Sequence, residues 1–410
     1  MITLNLQSSL ANEGIVMPRL VERRWEGNPG APGGRSARAS FTYRAFVPDT
    51  ISALEPAVPF QTAGAATDAE RAIRELNARA STSGLEAIGP LLLRSEAVAS
   101  SRIEGYQVST LNLARALVDP RAARGSARTV AANVSAMEEA IARADDPSPI
   151  RVGDIEAIHR TLMAQEPRAT PGRVREVQNW LGGRLDSPLD ADFVPPPEDQ
   201  LAGLLEDLSV FLERDDLPPV AQAAIAHAQF ETIHPFIDGN GRVGRCLIHV
   251  VLRRTGVAPR FVPPVSIVMA ARPTSYVAGL IDFREGRVAE WVESFANACH
   301  VAAVHAAALA DEVAALQRDW TQRAGRPRAG SAAAKLIDLL PAQPIVSAPT
   351  IRAAIGTSQQ QALEGLKALA EAGVVRQISE GSYDRQFAAP ELFDLVTAYE
   401  ERIAGRPRGS

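Results

Sequence analysis

A chain of 410 residues, 46% hydrophobic and 22% charged, has globular composition and enough length for two or three cores. Its formal net charge of −5 and pI near 5.8 argue against a generally basic nucleic-acid or membrane-surface binder. The two cysteines, Cys246 and Cys299, lie far apart without metal-ligand spacing, which fits a reduced, cytoplasmic protein.

The start, Met1-Ile-Thr-Leu-Asn, lacks the basic segment and apolar run of a signal peptide. Residues 1–64, rich in Gly, Pro and Arg, read as an irregular arm with one short extended piece at Phe41-Thr-Tyr-Arg-Ala-Phe46. Apolar residues at three-and-four spacing then predict helices over 68–80, 85–104, 131–143, 152–163 and 199–214. Asn179-Trp-Leu-Gly-Gly-Arg-Leu185 and Ala191-Asp-Phe-Val194, closed by Pro195-Pro-Pro197, read as a small hairpin inserted among these helices. A helix to Ile233, a glycine-rich break and a second helix over about 241–255 follow. Helices continue to Gln317, and the apolar stretch 301–316 carries His305, Asp311 and Glu312, so it reads as a soluble helix and nothing here needs a bilayer. After a linker at 323–330 come three short helices, 331–340, 349–355 and 357–372, and an extended pair at 374–379 and 383–388. This is the order of a winged helix-turn-helix.

The break between the two helices carries the chemistry: His234-Pro-Phe-Ile-Asp-Gly-Asn-Gly-Arg-Val-Gly-Arg245. Gly and Asn favour turns, and the helix that follows aims its unpaired N–H groups and positive dipole end into the loop, as in phosphate sites. Arg242 and Arg245 are three apart on that helix and repel each other there unless a polyanion such as a triphosphate neutralises them. Asp238 is a hard oxygen ligand suited to Mg²⁺ shared with phosphate. His234, with an ordinary pKa near 6.5, is placed to take a proton from an attacking hydroxyl.

These residues match, at every specified position, the motif His-x-Phe-x-Asp/Glu-Gly-Asn-Gly-Arg-x-x-Arg, and the chain thereby resembles the Fic (Fic/DOC) family. The resemblance extends over about residues 65–300, taking in Ala226-His-Ala-Gln-Phe-Glu-Thr-Ile233, Gly172-Arg-Val-Arg-Glu-Val-Gln-Asn-Trp-Leu-Gly-Gly183 and Phe193-Val-Pro-Pro-Pro197. It implies a mainly helical fold: a Fic-type core at 116–322 with a small β-hairpin flap, preceded by a helical region at 65–115. It further implies a protein adenylyltransferase, in which a Ser, Thr or Tyr hydroxyl of a target protein attacks the α-phosphorus of ATP and pyrophosphate leaves. By the same resemblance His234 is the base and Asp238 holds Mg²⁺. Gly239, Asn240 and Gly241 cradle the α-phosphate, and Arg242 and Arg245, with Val243 and Gly244 between them, hold the outer phosphates. Leu181, Gly182, Gly183 and Arg184 of the flap join the ATP-binding residues, and the flap clamps the target segment by strand addition. Tyr276 is a further candidate for the nucleotide pocket, with a core role the bland alternative.

Upstream, Ser100-Ser-Arg-Ile-Glu-Gly105 fits the family's inhibitory pattern Ser/Thr-x-x-x-Glu-Gly/Asn. The resemblance implies that Glu104 pairs with Arg245 and occupies the space of the γ-phosphate; the same carboxylate could instead position a water for AMP removal. Residues 331–405 resemble the winged-helix modules appended to many bacterial members. They hold six basic and nine acidic residues, a net of −3, which argues against DNA and for protein docking or a homodimer. Alternative readings are a nucleotide-sensing transcriptional regulator, transfer of UMP, phosphocholine or phosphate, and a toxin module.

Overall fold

The computed structural model describes residues 19–27, 38–56, 59–82, 88–119, 121, 123–184, 186–379 and 385–405. The rest of the N-terminal arm, the start of the helix expected at 85–104, Leu185 and the first part of the extended piece at 383–388 lie outside the described residues. The chain forms two compact units that interleave in sequence. One comprises residues 1–67, 139–255 and 274–297; the other comprises 68–138, 256–273 and 298–410.

The first unit is built on two successive helices, α7 (Pro219–Ile233) and α8 (Asn240–Arg254). α7 is apolar around its whole circumference, the pattern of a helix buried on all sides, and Val220 to Ile233 are all buried. Its few polar side chains are bonded inside the core. Gln222 donates to the carbonyls of Phe211 and Arg214, Gln229 to that of Asp49, and Trp291 Nε1 donates to Ala224 O at 2.8 Å. α5 (Val152–Leu162) and α6 (Leu201–Leu212) pack around this pair. α5 starts cleanly because Asp154 accepts from the Arg151 N–H at 2.7 Å.

Two strands, β1 (Arg19–Trp25) and β2 (Phe41–Val47), pair antiparallel in register from Arg19↔Val47 to Trp25↔Phe41. The N-terminal arm is thus not irregular throughout. The extended piece over 41–46 has a partner that the Arg- and Glu-rich sequence of β1 concealed, since its outward face is charged. The flap departs in the opposite sense. Among the described residues one bridge, Leu181↔Phe193, joins its two limbs. Gly182 and Gly183 turn the chain at φ 71° and 66° directly after Leu181, and Pro195 to Pro197 bring no N–H groups, so no ladder propagates. The β ribbon braces this segment instead: Phe46 N donates to Val194 O at 2.9 Å, Trp25 meets Trp180 edge-on at 5.5 Å, and Phe46 lies 5.7 Å from Phe193.

In the second unit α1 (Phe60–Thr82, from residue 68) and α2 (Ile88–Ile103) are followed by α3 (Thr110–Val118) and α4 (Gly125–Asp145, to residue 138). α3, absent from the periodicity reading because it is short, packs Ala114 with Ile345 and Ala388, Leu111 and Phe393 closing the cluster. This contact joins residues 68–138 to the C-terminal region. α2 also packs on α9 (Val265–Ala271), where buried Glu96 accepts from Ser266 N at 2.8 Å and from the Ser266 hydroxyl. α10 (Pro273–Arg284) returns the chain to the first unit.

α11 (Val288–Arg323) is long and apolar enough to cross a membrane by length and composition alone. Its buried residues Trp291, Phe295, Cys299, Ala302, Ala306, Leu309, Val313 and Trp320 recur at three-and-four spacing, which is a core-facing stripe. The C-terminal residues form α12 (Ala332–Leu339), β3 (Ile345–Val346), α13 (Ala348–Ile355), α14 (Gln359–Glu371), β4 (Arg376–Gln377), β5 (Phe387–Ala388) and α15 (Pro390–Ile403). The strands form one antiparallel sheet in the order β3-β5-β4. Between α13 and α14 the chain turns at Gly356, φ 64°, and Ser358 caps the second helix. β3 and α15 add to the three helices and two extended pieces expected.

One side chain carries much of the second unit's local order. Asn77 donates to the carbonyls of Ile73 and Phe261 and accepts from the Arg260 and Phe261 N–H groups, each within 3.0 Å. Asn77→Ala strands three backbone groups of the 260–261 turn and should cost roughly 2–4 kcal/mol, seen as a lower urea midpoint at unchanged slope.

Candidate active site

Only residues 234–239 separate α7 from α8, so a helix C-terminus and a helix N-terminus meet across one short loop. His234 ends α7 in the left-handed region at φ 49°, ψ 58°, its N–H still donating to Phe230 O at 2.9 Å. Gly239, at φ 82°, begins α8; a Cβ there would lie 3.0 Å from Met163 Sδ. The Asn240 side chain closes the loop upon itself. Its Oδ1 accepts from Phe236 N and its Nδ2 donates to Phe236 O, both at 2.8 Å, and the residue is buried. Asn240 therefore acts through its side chain as a staple, and only its backbone faces the task the motif suggests. The first N–H groups of α8 have no acceptor within the helix, which is the chemistry that helix N-termini offer to anions.

His234 is half-buried, with Nδ1 3.3 Å from Glu231 O. With Nδ1 donating to that carbonyl, Nε2 carries the lone pair that a base uses. Asp238 is 58% exposed at the side chain, and its Oδ1 lies 3.7 Å from Arg242 Nη2. Arg242 and Arg245 are each 1% exposed. Arg242 points Nη2 toward Met163 Sδ at 3.6 Å, whereas the charge of Arg245 reaches His227 and helps hold that imidazole neutral. Gly241 is half-buried and Val243 fully buried in the core side of α8. Gly244 permits the close approach of α8 to α7: a Cβ would sit 2.6 Å from Glu231 Oε1 and 3.0 Å from Phe230.

Three residues outside the motif hold the loop; the sequence places Arg175 and Asn179 in the flap segment but gives none of the three a role. Buried Arg175 donates Nε to His234 O at 3.0 Å, Nη1 to Val177 O at 2.8 Å and Nη2 to Pro196 O, and its own N–H donates to Pro235 O at 2.9 Å. Burial pulls its pKa down to about 10, so it is still a cation at neutral pH, spent on carbonyls. Asn179 donates to Phe236 O at 2.9 Å. His159 of α5 stacks flat on Phe236, 3.8 Å between ring centroids at 2°, and bonds to the backbone of Asp238 and Gly172. The usable signal was a histidine on the apolar stripe Ile155, Ile158, Leu162, which periodicity alone marks as core.

The flap residues lie at the single bridge. Leu181 is 37% exposed and pairs with Phe193, and Gly182 leaves room for the Asp192 carboxylate, which a Cβ would strike. Arg184 O accepts from Trp180 Nε1 at 2.6 Å. The Arg284 guanidinium stacks over the Phe193 ring at 3.8 Å. Tyr276 is buried in a cluster with His227 and Trp291, its hydroxyl 2.9 Å from His227 Nε2. Ser100 and Glu104 belong to the second unit. There Ser100 is buried near the end of α2, Asn133 donates to Ser101 Oγ at 3.1 Å, and Gly105 follows Glu104 at φ 83°.

Residues 149–252 match the Fic/DOC family, and residues 63–142 match the Fic/DOC family N-terminal domain. This is a Fic/DOC family protein. The Fic protein is 35% identical over 117 residues to the protein adenylyltransferase Fic of Drosophila grimshawi, covering 28% of this chain and 22% of that one. To the protein adenylyltransferase fic-1 of Caenorhabditis elegans it is 31% identical over 139 residues, 33% and 25% of the two chains. It thus spans about a quarter or less of the length of these curated relatives. Similar solved structures include a Fic family protein from Desulfovibrio desulfuricans G20, at 24% identity and TM-score 0.49 over 79% of this chain and 95% of that one. Fic-1 of C. elegans aligns at 21% and 0.47, over 61% and 74%.

Two imidazoles of this Fic domain are held neutral. Burial pushes His159 down to about 4, and burial with the nearby Arg245 charge pushes His227 down to about 3. A folded pKa below the unfolded value near 6.5 means that the unfolded chain takes up the extra proton first. Stability is then full above pH 6.5 and is lost as pH falls toward 4. For His159 alone the unfolding free energy at pH 4.5 should lie roughly 2–3 kcal/mol below that at pH 7.5, measured by urea denaturation, and His159→Gln should remove that share.

Proposed function

We propose that this Fic protein is a protein adenylyltransferase that moves AMP from ATP to a Ser, Thr or Tyr hydroxyl of another protein, with Glu104 as a brake in the same chain. The observation that carries the reading is the juxtaposition at one loop of the His234 imidazole, the Asp238 carboxylate and the open N-terminus of α8, with two buried arginines on its first turns. The similarity of part of the chain to protein adenylyltransferases supports it.

In this reading His234 Nε2 takes the hydroxyl proton as the oxygen forms a bond to the α-phosphorus; the bond from that phosphorus to the bridging oxygen breaks, and pyrophosphate departs with its electron pair. The α8 N–H groups, from Asn240 onward, face the charge that develops on the α-phosphate. Arg242 and Arg245, on the first turns of α8, would take the outer phosphates. The donor set suits Mg²⁺: Asp238 offers an exposed carboxylate, and among the described residues no three His, Cys, Asp or Glu side chains cluster, so the remaining ligands would be phosphate and water oxygens. A bound Mg²⁺ would neutralise phosphate charge there. Leu181 and Phe193 spend their backbone groups on each other, so an extended target segment would add to the flap at the residues beside that bridge.

Glu104→Gly should raise AMP transfer, self-modification included, by at least tenfold, and His234→Ala in that background should abolish it. Intact-mass spectrometry after incubation with ATP and Mg²⁺ reads both, and peptide mapping names the acceptor. Equal labelling of wild type and Glu104→Gly would remove the brake; a different mass increment would replace AMP with another transferred group.

A further inference from the structure

His159 lies outside the motif yet touches its acidic residue. α5 carries it on the same stripe as Ile155, Ile158 and Leu162, under the loop, fully buried. Stacking on Phe236 fixes the ring plane, so both nitrogens point along that plane to defined partners. Nδ1 is 2.9 Å from Gly172 N, and Nε2 is 3.0 Å from Asp238 O. A backbone N–H can only donate and a carbonyl can only accept. Nδ1 is therefore the acceptor and Nε2 carries the proton, a single tautomer that satisfies both neighbours. Gly172 has φ 72°, and a Cβ there would lie 2.7 Å from Arg160, so this end of the strut is itself confined. The imidazole thus spans from the root of the flap segment to the one carboxylate-bearing residue of the loop.

We infer that His159 is a positioning residue: by fixing the Asp238 backbone against Gly172 it sets where the Asp238 carboxylate meets a nucleotide-bound cation. The Asp238 carboxylate accepts from Gly239 N at 2.6 Å and lies 3.7 Å from Arg242 Nη2, so its direction follows the local backbone, and that backbone is placed by the carbonyl that His159 holds. The Asp238 side chain is 58% exposed and gains little orientation from packing, so the backbone bond is the lever. A histidine that merely filled the core would be replaceable by an apolar side chain of similar size. This one is not, because two backbone groups depend on its nitrogens.

The inference deepens the nucleotide-binding part of the proposed function and rests on it. The test uses the full chain carrying Glu104→Gly, with His159→Leu to keep volume without either bond, and His159→Gln to keep a donor and an acceptor. Mg²⁺-ATP binding by calorimetry, the KM for ATP, the Mg²⁺ concentration at half-maximal rate and Tm are measured for each. His159→Leu should weaken Mg²⁺-ATP binding and raise the Mg²⁺ requirement about tenfold, the usual effect of removing a group that orients a metal ligand, with kcat changed less than threefold and His159→Gln in between. Unchanged binding and Mg²⁺ requirement, or activity lost only in step with the folded fraction, would overturn the positioning role. Should His159→Leu fail to fold, His159→Gln carries the same test. Weakened Mg²⁺-ATP binding without AMP transfer in the parent would leave His159 in place and defeat the transferase reading. A parent that binds no Mg²⁺-ATP would defeat both.

Discussion

Two helix ends of opposite polarity meet across residues 234–239, and the site's other features answer to that geometry. The C-terminus of α7 is the negative end of its dipole and the N-terminus of α8 the positive end of its own. A loop so short cannot satisfy all of the backbone groups it carries from its own residues. The Asn240 side chain takes two of them by pairing with Phe236, Arg175 and Asn179 take carbonyls of 234 and 236, and His159 takes that of Asp238. The N-terminus of α8, with Arg242 and Arg245 on its first turns, is the positive end that these bonds place beside His234 and Asp238.

The cost of this arrangement explains the residues around it. Arg242 and Arg245 are buried on a helix that must lie close to α7, and Gly244 between them is small because a Cβ would strike Glu231 and Phe230. Arg175, also buried, answers mostly to carbonyl oxygens, which hold a cation by several partial charges at once. Its three donors tie His234 to both limbs of the flap segment, so the position of the imidazole and the path of the flap are one structural decision. The β1–β2 ribbon then supports that segment from outside through Phe46 and Trp25.

The second unit shows the same economy in a different place. The segment from Ser100 to Gly105 ends α2 at a turn that Gly105 permits, and Asn133 of α4 holds Ser101 just before it. Arg102, inside the pattern, pairs with Glu400 of α15 at 2.9 Å. Residues 68–138 are therefore packed with the C-terminal helices through α3 and through this pair, although more than two hundred residues separate them in the chain.

The sequence by itself determined the loop: a twelve-residue stretch whose glycines, asparagine and phased arginines leave a turn between two helices few other options, because the constraint is local. It also determined that a helix runs up to Ile233, that a glycine follows Glu104, and that the C-terminal region holds helices followed by short extended pieces. Tertiary structure alone decided what holds the loop. His159, Arg175 and Asn179 come from 55 to 79 residues away, and nothing in their own neighbourhoods distinguishes a strut from a core histidine or a surface arginine. It likewise decided that β1 pairs with β2, that the flap keeps one bridge rather than two strands, and that α3 joins the C-terminal sheet. Each of these turns on which backbone groups find partners far along the chain, and hydrophobic periodicity carries no record of that.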